Sequence, residues 1–208
     1  MLFNLLFSNP ILFVLLVSAL ILSLSLHELA HAFVAYKLGD STAKLSGRLT
    51  PNPLAHLDPM GTLLLLFAGF GWAKPVPVNS LNLSDPKRDL ALISVAGPLS
   101  NFILAALAAL LLNLVGSSSG VFLGLFTSFL YYFAFYNVGL GIFNLLPISP
   151  LDGFKVVSGI LPKNLSYQWE QLASYGIFIL MFLVFTNSLE RILFPLMGLF
   201  LRLFGISF

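Results

Sequence analysis

Apolar residues run almost unbroken from Ile11 to Tyr36, from Leu90 to Val115 and from Val121 to Leu146. Each run is long enough for a helix to cross a bilayer, which takes about 20 residues. Pro10 suits the first position of a helix. Lys37, Leu38 and Gly39 mark its end, glycine being favoured just past a helix C-terminus. A shorter run, Thr62 to Trp72, is stopped by Lys74, Pro75 and Pro77, and its length fits a re-entrant or a short, tilted segment. A last apolar region begins with Leu172 to Phe185, is interrupted by Glu190 and Arg191, and continues toward Phe208 as one long helix or two pieces. Between the runs, residues 40–59 are more polar and broken by Pro51, Pro53 and Pro59, with Thr42 to Leu49 reading as a short strand. Residues 79–89 read as a polar loop, GSSSG (116–120) as a tight connection, and 151–171 as mixed and loop-like. The pattern predicts an all-α polytopic membrane protein, a bundle of about four to six transmembrane helices. A short re-entrant or β-hairpin-like region follows the first span. The expected organisation is one integral-membrane domain over 1–208, with a C-terminal helical region at 172–208.

Composition agrees with the bilayer as solvent. Of 208 residues, 58% are hydrophobic and 9% charged, against about 25% charged in soluble domains. A net charge of +2 argues against a nucleic-acid partner, and the absence of cysteine excludes disulfides and thiolate metal sites. The first apolar run lacks a small-residue cleavage pattern and reads as a retained span. Lys37, Lys44, Arg48, Lys74, Lys87 and Arg88 all fall between that span and Leu90. Basic residues favour the cytoplasmic side. A re-entrant 62–72 places all of them there, together with Lys155 and Lys163.

The first span holds the polar exception. Residues 27–31 read HELAH, placing His27, Glu28 and His31 in an apolar run. An ionisable side chain at the centre of a spanning helix costs about 2.5–3.5 kcal/mol on insertion scales, so such residues mark function. Positions four apart share one helix face, and two imidazoles at that spacing can bind one metal ion. Glu28 points about 100° away, within reach of a water activated by that metal, the place for a general base. A catalytic zinc takes three protein ligands and keeps one position open. His56 and Asp152 are both candidates for the third, and Asp152-Gly153 also reads as a plain turn.

Three motifs together, HELAH (27–31), GPLSN (97–101) and NLLPISPLDG (144–153), resemble the site-2 protease family of intramembrane metalloproteases. GRLTPNPLAHLDPMG (47–61) and GFGWAKPVPVN (69–79) are similar to its compact bacterial and archaeal members. The likeness covers residues 10–160, the expected catalytic core, without a PDZ-like or other appended module. It implies that His27, His31 and Asp152 bind one zinc ion per chain, with Glu28 as catalytic acid and base. Gly97 and Asn101 match the family's G-x-x-x-N element, which implies a part in positioning substrate or stabilising the reacting carbonyl. The alternative for Gly97-Pro98 is a helix start with close packing. His56, in an N-P-x-x-H-x-D-P-x-G pattern, and Asn144 are expected beside the ligands as supporting residues. The resemblance further implies a transmembrane protein substrate and residence in the cell membrane of a prokaryote, and leaves the oligomeric state open. The alternative function is a non-proteolytic scaffold or chaperone-like protein keeping the fold; intact HELAH and LDG argue against it. A di-iron oxidase needs more histidine and carboxylate clusters than three histidines allow.

Overall fold

A computed structural model describes residues 2–68, 71–116 and 120–206. The main helices start where the sequence supplies caps. α1 (Leu2–Ser8) leads to α2 (Pro10–Lys37), where the Asn9 side chain accepts from the Leu12 N–H and Pro10 sits in the first turn. A short turn, α3 (Thr42–Leu45), and α4 (Pro59–Ala68) follow. α5 (Pro86–Val115) is capped by Asp85, whose side chain accepts from Arg88 N–H. α6 (Val121–Asn144), α7 (Asp152–Ile160), α8 (Lys163–Gln171), α9 (Gly176–Phe185) and α10 (Ser188–Leu203) complete the chain.

Four stretches are long and apolar enough to cross a membrane: Pro10–Lys37, Pro86–Val115, Val121–Asn144 and Lys163–Phe185. The protein is a multi-pass membrane protein. α2, α5 and α6 pack on one another, and many of the residues buried there are small, among them Ala19, Ala32 and Ala35 of α2, Ala105 and Ala108 of α5, and Ala134 of α6. Small residues let helix backbones approach closely where lipid supplies no hydrophobic drive. Bulky side chains such as Phe33, Leu107 and Leu114 face outward, each more than half exposed. α10 closes the far side of α6, with Met197 and Leu201 against Val138 and Ile142.

Several expectations are corrected. Thr42 to Leu49 is no strand: Thr42–Leu45 is helical, and Gly47 at φ 68 turns the chain back. The cause is Asp40, whose Oδ1 accepts from both N–H and Oγ1 of Thr42 and starts a turn there. Residues 151–171 are mainly helical rather than loop-like. Of the two arrangements left open for the C-terminal region, the described residues take the divided one: a 3-10 turn, Leu172–Tyr175, leads into α9, and α9 and α10 are parted where Asn187 takes a left-handed conformation at φ 54. Gly97-Pro98 is no helix start, because it lies inside α5. The GSSSG connection falls mostly outside the described residues. After the first span, the described residues hold one isolated antiparallel bridge, Leu57 with Ala73, extended by the Lys74 N–H donating to the His56 carbonyl at 2.8 Å. The two ends of the excursion through α4 therefore meet.

Asp40 also fastens the approach to α5. It is fully buried and accepts from the Asn79 N–H at 2.7 Å and Asn82 Nδ2 at 2.8 Å. Burial alone would raise its carboxyl, but the hydrogen bonds from Thr42, Asn82 and the Asn79 N–H outweigh it and hold the group below the ordinary 3.8. A depressed carboxylate adds stability that is complete above its unfolded value and is lost as pH falls through the folded one. Thermal melting in detergent should therefore decline from about pH 4 downward, and Asp40→Asn should flatten that decline. Asp40→Ala, which deletes the charged acceptor shared by Thr42, Asn79 and Asn82, should cost about 1.5–3 kcal/mol at neutral pH. An unchanged melting point would refute the role.

Candidate metal centre

His27 and His31 lie one turn apart on α2, and both rings are buried. Their Nε2 atoms are 3.0 Å apart. Asp152, the first residue of α7, brings its Oδ2 to 3.2 Å from each of them. The turn at 145–151 aims it, with Leu151 N–H donating to the Ile148 carbonyl. Gly153 packs so tightly on the Leu145 and Leu146 carbonyls that a Cβ there would collide with them. Among the described residues, these three are the group placed to share one metal ion.

The outer ring nitrogens define the inner ones. His31 Nδ1 lies 2.7 Å from the Ile93 carbonyl of α5. A carbonyl only accepts, so Nδ1 carries the proton and Nε2 presents a lone pair when the ring is neutral. Pro98, inside α5, lacks the N–H that would bond Ser94 and crowds that turn, next to where Ile93 receives His31. His27 Nδ1 meets Asn101 Oδ1 at 2.6 Å. Two imidazole lone pairs and a carboxylate oxygen thus converge on one point. Such a set is satisfied by a cation, and two histidines with one carboxylate match the ligand set of catalytic zinc sites. Gly97 makes room: a Cβ there would lie 2.6 Å from His27 Cε1 and Nε2 and collide with His31 Nε2.

Glu28 lies off this cluster. Its Oε2 accepts from the Val76 N–H at 3.1 Å. Val76 belongs to an extended segment held by Arg48, which donates to the Lys74 carbonyl, and by the Lys74–His56 backbone bond. His27, His31, Asp152 and Glu28 share a cavity of about 280 Å³ whose lining also includes Trp72, Asn144 and Lys155.

The M50 peptidase profile matches residues 15–184, which includes every residue of this cluster. The chain belongs to peptidase family M50. This M50 chain is 44% identical over 187 residues to the Bacillus subtilis protein named "Putative zinc metalloprotease YwhC", covering 88% of this chain and 85% of that one. Identity to the Rip2 protein of Mycolicibacterium smegmatis, which carries the same description, is 30% over 203 residues, covering 94% of this chain and 76% of that one. "Zinc metalloprotease MJ0392" of Methanocaldococcus jannaschii is 28% identical over 162 residues, covering 77% of this chain and 38% of that one. No solved structure matches.

The other sequence candidates lie at different distances from this cluster in the M50 chain. Asn101 contacts His27 directly. Asn144 lines the cavity and donates through Nδ2 to the Leu140 carbonyl of its own helix. His56 is buried but stays in the loop, its Nε2 at 2.8 Å from the Thr50 carbonyl, outside the converging group. Sequence reasoning missed Asn137, Ser23 and Ile93. The first two had a visible signal, being polar residues within apolar runs. Ile93 acts through its carbonyl, which no side-chain pattern reports.

Proposed function

We propose that this M50 chain is an intramembrane zinc metalloprotease that hydrolyses peptide bonds in or near the membrane-spanning segments of other proteins. The observation that carries the reading is the convergence of His27, His31 and Asp152 beside Glu28, in a cavity among apolar helices. His27 and His31 through Nε2, and Asp152 through Oδ2, would hold one zinc ion per chain. Bound there, zinc acidifies a water toward neutral pH and polarises a scissile carbonyl. Glu28 takes the proton of the attacking water and passes it to the leaving amine. Val76 N–H keeps that carboxylate aimed. Asn101 has both ends of its amide engaged, so it orients His27 rather than meeting the substrate. His56 acts as a backbone anchor for the segment carrying Val76.

An apolar substrate fits the walls. A second apolar cavity of about 300 Å³, between α2, α4 and α6, shares Leu24, Gly71, Trp72 and Leu140 with the first. A spanning helix hides its carbonyls in internal hydrogen bonds, so the substrate must unwind before it reaches Glu28. Relatives in bacteria and an archaeon support a prokaryotic cell membrane as the location.

The test is hydrolysis by the purified protein in detergent. Cleavage of a transmembrane peptide should vanish on chelation, return with zinc, and exceed cleavage of a soluble peptide. Zinc uptake without cleavage would sink the protease and favour a scaffold.

We also read the excursion through α4 as re-entrant, because its two ends pair at Leu57 and Ala73. Cysteines placed at Lys44 and Lys87, in a chain without native cysteine, should then be labelled from the same side of sealed vesicles. Labelling from opposite sides would refute re-entry.

A further inference from the structure

Behind the metal ligands, three polar side chains on three helices form a buried chain of hydrogen bonds with only one consistent direction. Ser23 of α2, Asn101 of α5 and Asn137 of α6 are all fully buried. Ser23 Oγ donates to the Ala19 carbonyl at 2.7 Å, which leaves its lone pairs as acceptors. Asn137 Nδ2 donates to Ser23 Oγ at 2.7 Å and to the Phe133 carbonyl at 2.8 Å. The Asn137 amide has no freedom in this, because a backbone carbonyl can only accept. Its Oδ1 must therefore face away from Phe133, and it meets Asn101 Nδ2 at 2.7 Å. That contact in turn commits the Asn101 amide, whose Oδ1 faces His27 Nδ1 at 2.6 Å. An oxygen there requires a proton on Nδ1, which leaves the lone pair on Nε2, on the metal side.

We propose that Asn137 is a positioning residue for the metal centre: through the Asn101 amide, it holds His27 in the tautomer that can ligate. The direction originates at the Phe133 carbonyl and runs through two amides to the ring. Without Asn137, Asn101 Nδ2 retains only a long contact of 3.4 Å to the Ser23 carbonyl. The amide can then turn over and present its nitrogen to His27. That orientation favours the opposite tautomer, with the proton on Nε2 and no lone pair for a metal. A buried polar network of this kind constrains its members only when all are satisfied.

The inference rests on the zinc site proposed above. Its test compares two near-isosteric variants in the full-length, zinc-loaded protein. Asn137→Leu removes the acceptor for Asn101. Asn137→Asp keeps an oxygen there, whether ionised or protonated. Competition with a zinc chelator should show zinc bound about 10–100-fold more weakly in Asn137→Leu, and near wild-type binding in Asn137→Asp. After zinc is stripped from the same full-length proteins, so that the metal no longer fixes the tautomer, nitrogen-15 NMR of the labelled histidines should show Nδ1-protonated His27 in wild type and Asn137→Asp, and a tautomer mixture in Asn137→Leu. That spectrum remains informative if the Asp variant folds poorly. Wild-type protein that takes up no zinc overturns the site and this inference together. If wild type binds zinc, either of two results overturns this inference alone: Asn137→Leu binding within about twofold of wild type, or equal weakening in both variants with His27 unchanged.

Discussion

Glu28→Gln is expected to lower peptide hydrolysis about 10²–10⁴-fold while the protein keeps its zinc. The two side chains have the same shape, and the Gln oxygen can still accept from the Val76 N–H, now 3.1 Å from Glu28 Oε2. The three converging atoms belong to His27, His31 and Asp152, so the substitution leaves the ligand set whole. What it removes is a group able to take and return a proton. Single-turnover cleavage of a transmembrane peptide, with zinc measured in the same samples, separates the two effects. Hydrolysis within about tenfold of wild type would remove Glu28 from the reaction. Loss of zinc alongside activity would make it a structural group instead.

Gly97→Ala should be the second most damaging small change. The added methyl would stand 2.6 Å from two atoms of the His27 ring and closer to His31 Nε2. Neither ring can retreat easily, since each is held at Nδ1 by α5 through Asn101 or Ile93. Zinc affinity is expected to fall on the order of 100-fold, the upper end of what lost support of ligands costs. Gly124→Ala is the matched control. It too lies in a spanning helix, but a Cβ there meets nothing within 4 Å. Alanine is the better helix former by roughly 0.5–1 kcal/mol, so the control should bind zinc normally and melt no lower. Equal zinc binding by both variants would show that the rings have room the geometry denies them.

The spans and the HELAH cluster were legible because each is written locally. A run of about 20 apolar residues needs no partner to be read, and His27, Glu28 and His31 sit within one helical turn and a half. Asp152 could not be chosen over His56 from spacing, since its approach depends on the turn at 145–151 and on Gly153 seating against two carbonyls. The family likeness, not the pattern, pointed to it. The supports were harder. Asn137 looks like an isolated polar residue until α2, α5 and α6 are packed. Thr42 to Leu49 alternates enough to suggest a strand, but Asp40 bonds Thr42 and overrides that preference. The helices at 152–171 stayed hidden because they are short and mix charge with aromatic residues.

The contact between Val76 and Glu28 is made by backbone, so it is blind to which side chain position 76 carries. It is not blind to alignment. Pro75 and Pro77 flank Val76, and neither has an N–H to give. The Lys74 N–H is already committed to the His56 carbonyl. Sliding the segment by one residue in either direction would set a proline opposite Glu28 and strip the carboxylate of its donor. The prolines thus act as an error check, rejecting each neighbouring register while leaving the identity of residue 76 open to evolutionary drift toward anything but proline.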